Sequence, residues 1–213
     1  MSIIALDFLG RYSLLNGLKT VKALGISERK ERERAQREQR IIAAARALAE
    51  RDGWASVTVR RLAQEIEYSQ PVLYAHFENR DAIVGAVALE GFGELAPTLR
   101  ASVRKGATPE QAIEAVATAY LDFAFERPAL YEAMFVLPTG LRFAKSDTPQ
   151  VLRDTFGAMM AVVEPFSGDP EIVTETFWAA LHGLAELERH GRIRAAFRGE
   201  RVRRLVEMFT HRS

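Results

Sequence analysis

The sequence predicts an all-α protein of about nine helices, and three observations lead to this prediction. Apolar residues recur at intervals of three and four along most of the 213-residue chain, which places them on one face of a helix. No alternating run of β-branched and aromatic residues is longer than about five residues, so strands are not expected. Eight prolines and 14 glycines separate the periodic segments. We therefore expect helices joined by short connections, and no sheet.

Composition narrows the class of protein further. Apolar residues make up 48% of the chain and charged residues 27%, which is typical of a soluble globular protein. Cysteine is absent, which excludes a disulfide scaffold, an iron–sulfur cluster, a thiolate zinc site and a cysteine nucleophile. The formal net charge is only +1, and a strong polyanion binder usually carries a larger basic excess. Any binding of nucleic acid must then depend on a few placed residues.

The first 27 residues predict a loosely ordered N-terminal extension. Their apolar residues are scattered among charges, and the longest uninterrupted apolar stretch, Ile3 to Leu6, is far shorter than the roughly 20 residues that span a bilayer. The basic residues follow the apolar ones, whereas a secretory signal has them first. A transit peptide is the alternative. We expect a cytoplasmic protein that does not bind a membrane.

The next elements follow one another closely. Residues 28–40 alternate basic and acidic side chains at helical spacing, which predicts a helical lead-in with ion pairs; an arm for the DNA minor groove is the alternative. The helix then becomes amphipathic and stops at Asp52-Gly53. Thr58 caps a short helix that runs to Ile66. A second short helix begins at Gln70-Pro71, and Asn79 to Asp81 begin a longer helix that ends near Leu95.

Beyond Pro97 the same signals predict five further helices. Thr108 is predicted to cap the first of these helices, and Gly191 is predicted to end the longest helix. The predicted spans are Pro109–Glu126, Ala129–Leu137, Pro149–Val163, Pro170–His190 and Glu200–His211.

Two short amphipathic helices joined by three residues form the skeleton of a helix-turn-helix. The second helix turns Val72, Leu73 and Phe77 inward, toward Leu62, Ala63 and Ile66 of the first. Its outer face carries Gln70, Tyr74 and His76. Such a helix is small enough to enter a major groove about 12 Å wide. On the residues alone, a three-helix mini-domain with no DNA role is equally acceptable.

Two strings in this segment, Thr58–Ile66 and Gln70–Arg80, resemble the DNA-binding domain of the TetR family of repressors, over about 45 residues. The resemblance implies that Arg60 reads guanine, that Gln70 reads adenine, that Val72 contacts a thymine methyl and that Arg80 binds a phosphate. The full set of implied DNA contacts is Thr58, Arg60, Ser69, Gln70, Pro71, Val72, Tyr74, His76 and Arg80.

The turn departs from the family pattern. The family has glycine followed by an aliphatic residue where this chain has Glu67-Tyr68, and a left-handed glutamate is strained. Glu67 and Glu78 also place negative charge near the expected DNA backbone. Either the turn geometry differs or the two carboxylates point away from DNA.

In the second half, Trp178, His182 and Gly183 resemble the Trp-His-Gly signature of one class of C-terminal domains in this family. The resemblance implies that residues 81–213 bind an effector and form a dimer through the last two long helices. His182 is expected either beside the effector or as a core histidine bonded within its own subunit. The residues predicted to line an apolar effector cavity are Tyr120, Phe123, Met134, Phe156, Met159, Met160, Trp178 and His182.

These observations predict a homodimeric, ligand-responsive transcriptional repressor. It would bind a palindromic operator in double-stranded DNA and leave it when a small hydrophobic or amphipathic effector binds. No cofactor, metal or catalytic residue is expected. The predicted parts are the N-terminal extension at 1–27, a helix-turn-helix DNA-binding domain at 28–80, and a helical domain at 81–213 that binds the effector and forms the dimer. The alternatives are a small helical enzyme that uses His182 and Glu186 as base and orienter, and a helical interaction module that does not bind an operator.

Overall fold

The computed structural model describes residues 4–143 and 145–210, with side chains from residue 28 onward. The described residues contain helices and no strand, so the all-α prediction is confirmed. Within these described ranges the α-helices number nine: α1 (Ile4–Asp52), α2 (Val59–Glu65), α3 (Gln70–Tyr74), α4 (Arg80–Ser102), α5 (Pro109–Glu126), α6 (Pro128–Phe135), α7 (Gln150–Val163), α8 (Pro170–Arg189) and α9 (Arg198–Thr210). Three short 3-10 segments lie at Trp54–Ser56, Glu164–Phe166 and Ala195–Phe197.

The chain forms two compact units, residues 1–41 and residues 42–213. In the first unit, ion pairs one helical turn apart join Arg29 to Glu33 at 3.1 Å and Arg34 to Glu38 at 3.0 Å. The predicted helical lead-in with ion pairs is therefore present. The backbone of residues 4–27 is helical, although we expected a loosely ordered extension, and the side chains of this segment lie outside the described residues. The division at residues 27 and 80 stays a prediction.

In the second unit, α4 is the central helix and packs against α5, α6 and α7. Its buried residues include Val84, Phe92, Leu95 and Leu99. Among the described helices, α4 alone is long and apolar enough to cross a membrane. More than half of that stretch is buried inside the protein, which is the pattern of a core helix in a globular domain.

The helix α4 continues through Pro97 to Ser102, so the predicted end near Leu95 is wrong. Proline cannot donate a hydrogen bond to the carbonyl four residues earlier. The side chains of Leu95 and Leu99 are nevertheless fully buried on either side of it. Burying two leucines contributes more than the missing backbone bond costs, so tertiary contacts carry the helix across the proline.

A close approach between α4 and α6 depends on Gly91. A Cβ atom at this position would lie 2.8 Å from Cγ of Met134 and 3.0 Å from Cδ1 of Leu130, both buried residues of α6. Such distances are shorter than van der Waals contact, so the side chains of Met134 and Leu130 would have to shift to admit a larger residue. Glycine at this point of α4 lets these two side chains of α6 pack directly against the α4 backbone.

Local signals explain most of the helix ends. Thr108 and Gln111 form a complete capping box at the start of α5, in which each side chain bonds the backbone N–H of the other residue. α6 ends at Phe135 rather than at the predicted Leu137, and α9 begins at Arg198, two residues earlier than predicted. The predicted final residue of the last helix, His211, lies outside the described residues.

Candidate functional site

The helix-turn-helix predicted from the sequence is present as α2 and α3. Oγ1 of Thr58 accepts a 3.1 Å hydrogen bond from the backbone N–H of Arg61, so the predicted cap of α2 is confirmed. α3 has only five residues and begins at Gln70, with a proline in its first turn. The two helices pack against each other, and Leu62 and Leu73 are fully buried.

The turn between these helices contains a strained glutamate. Glu67 has a φ of +55°, and among the described residues it is the one non-glycine with a positive φ. The backbone N–H of Tyr68 donates to the carbonyl of Ala63 at 2.9 Å, and that of Glu67 donates to Gln64 at 3.4 Å. This pair of bonds is a Schellman motif, which usually has glycine at the left-handed position. The turn therefore keeps the geometry that glycine would give.

Most of the predicted DNA contacts are exposed side chains. Thr58, Arg60, Ser69, Gln70 and Pro71 are exposed, and 54% of Tyr74 is exposed. Val72 and His76 are half-buried, and His76 lies beyond the end of α3. The neighbouring Arg61 instead forms an ion pair with Asp52 at the end of α1.

Arg80 has a structural role that the sequence did not reveal. Its Nε donates to the carbonyl of Val57 at 2.9 Å, and one terminal nitrogen donates to the carbonyl of Trp54 at 2.9 Å. The other terminal nitrogen lies 3.3 Å from the carboxylate of Asp81. Its guanidinium thus holds the first turn of α4 against the segment that precedes α2. We therefore assign Arg80 a positioning role, and its predicted phosphate contact stays a prediction.

A second set of contacts joins the residues before α2 to the start of α6. The indole N–H of Trp54 donates to the carbonyl of Ala129 at 2.7 Å. The carboxylate of Glu50 accepts hydrogen bonds from the backbone N–H groups of Ala129 and Leu130, at 3.4 and 3.2 Å. A carboxylate at a helix N-terminus satisfies free N–H groups and complements the helix dipole.

A cavity of about 600 Å3 lies among α4, α6, α7, α8 and the connection between α6 and α7. Aromatic rings form much of its wall: Phe92 and Phe135 meet edge to face at 5.2 Å, and Phe143 stacks on Trp178 at 6.4 Å. Four charged residues also line it, two basic and two acidic. The lining residues are Phe92, Phe135, Phe143, Lys145, Ser146, Thr148, Leu152, Arg153, Thr155, Phe156, Gly157, Met159, Met160, Glu171, Glu175 and Trp178.

Half of the residues predicted to line the cavity do so. The structure places Phe156, Met159, Met160 and Trp178 in its wall. It does not place Tyr120, Phe123, Met134 or His182 there, because these side chains turn into the contacts among α4, α5, α6 and α8. Sequence reasoning missed Phe92 and Phe143, which are apolar residues on a core helix and in a connection. Only the tertiary arrangement brings them together.

Tyr120 and His182 instead belong to a chain of hydrogen bonds beside the cavity. Nε1 of Trp178 donates to the hydroxyl of Tyr120 at 3.1 Å. The hydroxyls of Tyr120 and Tyr131 lie 2.9 Å apart, and that of Tyr131 lies 2.7 Å from Nδ1 of His182. His182 is thus bonded within its own subunit, although its side chain is half-buried and not enclosed in the core.

Burial and nearby charges shift the pKa values of groups in this chain of hydrogen bonds. Burial lowers the pKa of His182 below its ordinary value, while Glu186 raises it and Arg189 lowers it. Burial likewise raises the pKa of the hydroxyls of Tyr120 and Tyr131. Glu186 and Arg189 pair with each other at 2.8 Å. The described hydrogen bond of His182 goes to Tyr131 and not to Glu186, the orienter that the enzyme alternative requires.

An exposed helix-turn-helix joined to a helical domain with a cavity defines a class of protein, the helical DNA-binding regulators. The family model described as "Bacterial regulatory proteins, tetR family" matches residues 41–87. The model described as "Tetracyclin repressor-like, C-terminal domain" matches residues 113–210, and the two together match more than half of the chain. The chain belongs to the TetR family of transcriptional regulators. Members of this family are DNA-binding regulators and not enzymes.

Individual relatives agree with this assignment. The chain is 29% identical over 157 residues to the HTH-type transcriptional regulator Rv0681 of Mycobacterium tuberculosis, covering 71% of this chain and 69% of that protein. BioQ, solved with its double-stranded DNA operator, superposes with a TM-score of 0.62 and 22% identity over 81% of this chain and 97% of BioQ. A TetR variant from Acinetobacter baumannii AYE, solved with minocycline, gives a TM-score of 0.59 and 19% identity over 79% of this chain and 93% of that one. The two solved structures show the same fold.

Proposed function

We propose that the protein is a dimeric repressor that binds a palindromic DNA operator and is released by a small hydrophobic or amphipathic effector. The observation that carries this proposal is the course of α4. Asn79 caps this helix directly after the helix-turn-helix, and Phe92, on the same helix, lies in the cavity wall. One rigid element therefore belongs to both candidate sites. As a DNA-binding regulator, the protein would act in the cytoplasm.

The exposed face of α2 and α3 supplies the proposed DNA interface. Arg60 carries a guanidinium that suits the O6 and N7 atoms of guanine, and Gln70 carries an amide that suits adenine. Both side chains are exposed. The further proposed DNA contacts are Thr58, Ser69, Pro71, Tyr74 and His76, and Val72 offers an apolar contact for a thymine methyl group. Glu67 lies in the turn beside this face and opposes approach to phosphate.

The cavity supplies the proposed effector site. Its volume of about 600 Å3 lies within the range of about 300–1,000 Å3 that is usual for small-molecule sites. Aromatic and methionine side chains favour an apolar body, and the charged residues Lys145, Arg153, Glu171 and Glu175 can bind polar groups. This combination supports an amphipathic effector over a fully polar one.

Two features of the last helices support a homodimer. On α8, 60% of Ile172 and 46% of Leu187 are exposed, and no atom lies within 4 Å of a Cβ built at Gly183. On α9, 77% of Met208 is exposed. These positions give an apolar face with room for another helix. A single five-residue recognition helix makes few contacts, whereas a dimer can bind two half-sites about 34–36 Å apart.

The proposal is tested with DNA from upstream of the gene, by fluorescence anisotropy at several salt concentrations. We expect sequence-specific binding that Arg60→Ala and Gln70→Ala each weaken by about fivefold or more, since one base contact contributes about 1–3 kcal/mol. Arg104→Ala is the matched control, because this exposed arginine lies in the connection after α4. If the two variants bind like the control, the recognition assignment is wrong.

Sedimentation of the same protein tests the dimer. We expect a dimer at micromolar concentration, and a monomer would contradict the two-half-site arrangement. A dimer that binds no upstream DNA at low salt would instead favour the interaction module, with Glu67 and Glu78 opposing DNA.

A further inference from the structure

Three residues of α8 that line the cavity lie on one face of that helix. Glu171, Glu175 and Trp178 are separated by four and three positions, so successive members lie one helical turn apart. These three residues, which we call the α8 stripe, bring two carboxylates and an indole ring to the same wall. A molecule that occupies the cavity beside α8 therefore meets negative charge next to an aromatic surface.

The two carboxylates of the α8 stripe have no partner of opposite charge. Among the described residues, no hydrogen bond or ion pair engages the side chain of Glu171 or of Glu175, and both side chains are exposed. Glu171 lies in the first turn of α8, where the helix dipole favours a negative charge, but Glu175 lies one turn further on. Two like charges one turn apart on a helix repel each other. A cation bound beside both carboxylates would relieve this repulsion.

The two basic residues of the wall are arranged differently. Nε and one terminal nitrogen of Arg153 donate to the side-chain oxygen of Gln150, at 3.2 and 2.7 Å, and the other terminal nitrogen donates to the carbonyl of Thr148. Neutral groups of its own segment thus hold the guanidinium. Lys145 has no ion pair among the described residues, but it is a single ammonium in the connection between α6 and α7. Two adjacent carboxylates therefore face one unbonded ammonium in the described wall.

The aromatic rings of the wall favour a positive charge over a negative one. The face of an aromatic ring is electrostatically negative and attracts a cation within about 6 Å, most strongly when the ring is tryptophan. The ring of Phe143 stacks on Trp178, and the centroid of Phe135 lies 5.8 Å from that of Trp178. A ligand cation beside α8 would gain from these rings and from the carboxylates, whereas a ligand anion would gain from neither.

We propose that the cavity takes an amphipathic effector with a cationic end, such as an alkyl or aryl amine, and that this end binds against Glu171, Glu175 and Trp178. The apolar body of the effector then contacts the phenylalanine and methionine side chains of the wall. This inference rests on the proposed function, in which the cavity is the effector site, and it adds the charge of the effector.

The test compares decylamine, decanol and decanoic acid by isothermal titration calorimetry with the whole protein, at pH 7 and without DNA. The three probes share one apolar chain, and their head groups are cationic, neutral and anionic at this pH. We expect decylamine to bind about tenfold or more tightly than decanol, and decanoic acid to bind no more tightly than decanol. Tighter binding of either other probe, equal binding of all three, or no binding of decylamine overturns the proposal.

Charge-removing variants locate the bound cation. Glu171→Gln and Glu175→Gln keep the size of the side chain, so each should weaken decylamine binding by about two- to fivefold and leave decanol binding unchanged. Glu114→Gln is the matched control, because this exposed glutamate lies on α5 and outside the cavity wall. Lys145→Gln should bind decylamine at least as tightly as the wild type. If the double α8 variant keeps the wild-type affinity for decylamine, or if Lys145→Gln lowers it, the proposal is overturned.

The same probes separate this inference from the proposed function. If decylamine and decanol bind equally and both release operator DNA, the effector site is supported and the preference for a cation is wrong. If decylamine binds through the α8 stripe and DNA binding is unchanged, the preference for a cation is supported and release by an effector is not.

Discussion

The indole of Trp54 and the backbone carbonyl of Ala129 are joined by a 2.7 Å hydrogen bond across 75 residues of sequence. Trp54 lies just before the helix-turn-helix, and Ala129 lies in the first turn of α6. The carboxylate of Glu50 bonds the same turn. The end of α1 and the segment after it therefore position the start of α6, whose other end carries Phe135 into the cavity wall.

Replacing Trp54 should lower the stability of the whole second unit. Trp54→Phe leaves the buried carbonyl of Ala129 without this donor and leaves unfilled volume, so we expect a loss of about 1–3 kcal/mol in the free energy of unfolding. Urea denaturation followed by circular dichroism measures it. Tyr74→Phe, at an exposed position, should unfold at the same urea concentration as the wild type. Equal midpoints for both variants would show that the Trp54 bond contributes nothing.

Glu67 should be a site where glycine stabilises the protein. Its φ of +55° is unfavourable for a residue with a Cβ, so Glu67→Gly is expected to add about 0.5–1 kcal/mol to the free energy of unfolding. The same Schellman motif ends α8, with Gly191 at φ +63° in the equivalent place. Gly191→Ala should therefore have the opposite effect. Thermal denaturation compares the two, and a lower melting temperature for Glu67→Gly would contradict the strain.

A methyl group at Gly91 should disturb the contact between α4 and α6. Gly91→Ala forces Met134 and Leu130 to shift, and overpacking of this kind costs about 1–3 kcal/mol. Gly93 lies on the same helix with no atom within 4 Å of a Cβ, so Gly93→Ala should stabilise the helix by up to about 1 kcal/mol. Urea denaturation distinguishes the two changes by sign. Equal effects would mean that the space at Gly91 is not limiting.

Sequence patterns predicted those parts of the fold that neighbouring residues determine. The caps at Thr58 and Thr108 and the stop at Gly191, directly after α8, each depend on side chains or backbone within a few residues. The course of α4 through Pro97 was missed because a local rule about proline was outweighed by distant contacts. Local signals therefore predicted the positions of the helices better than they predicted the lengths.

The two candidate sites also differ in how far local sequence patterns could predict them. The outer face of α3 follows from helical periodicity, so Gln70 and Tyr74 were correctly expected at the surface. The cavity does not follow from periodicity, because Tyr120 and Phe92 have similar apolar character in the sequence. Only the arrangement of α4, α5 and α8 decides which of them borders empty space and which is enclosed.

Acid should remove the contribution that Glu188 makes to the free energy of unfolding. Only 6% of its side chain is exposed, and it pairs with Arg198 and, at 2.7 Å, with Arg201. Burial acts to raise the pKa of Glu188, but the two arginines outweigh burial and lower it. A lowered carboxyl pKa in the folded state gives stability that is complete above the unfolded value of about 4.3 and is lost as pH falls through the folded value.

Glu188→Gln should therefore lower the free energy of unfolding by about 1–2 kcal/mol at pH 7. The difference from the wild type should shrink below about pH 4. Urea denaturation at the two pH values measures it. Glu207→Gln, at an exposed ion pair on α9, should change little at either pH. A constant penalty for Glu188→Gln in acid would show that the charge of Glu188 is not its cause.

His182 should make the free energy of unfolding depend on pH in a higher range than Glu188 does. Its lowered pKa means that the folded state favours the neutral ring, so its contribution to stability is present above the unfolded value of about 6.5 and is lost as pH falls through the folded value. Between pH 7 and pH 5.5 the free energy of unfolding should fall less steeply in His182→Gln than in the wild type. Identical slopes in the two proteins would contradict the assignment to His182.

The ion pairs along α1 also affect how the protein would find DNA. Arg29, Arg34 and Arg37 each lie one turn from a glutamate of the same helix, so their positive charge is largely compensated at short range. Such arginines displace few condensed counterions from a duplex and add little to long-range attraction. Diffusional encounter with DNA should then be only weakly steered, and little of the protein should be held on unrelated sequences.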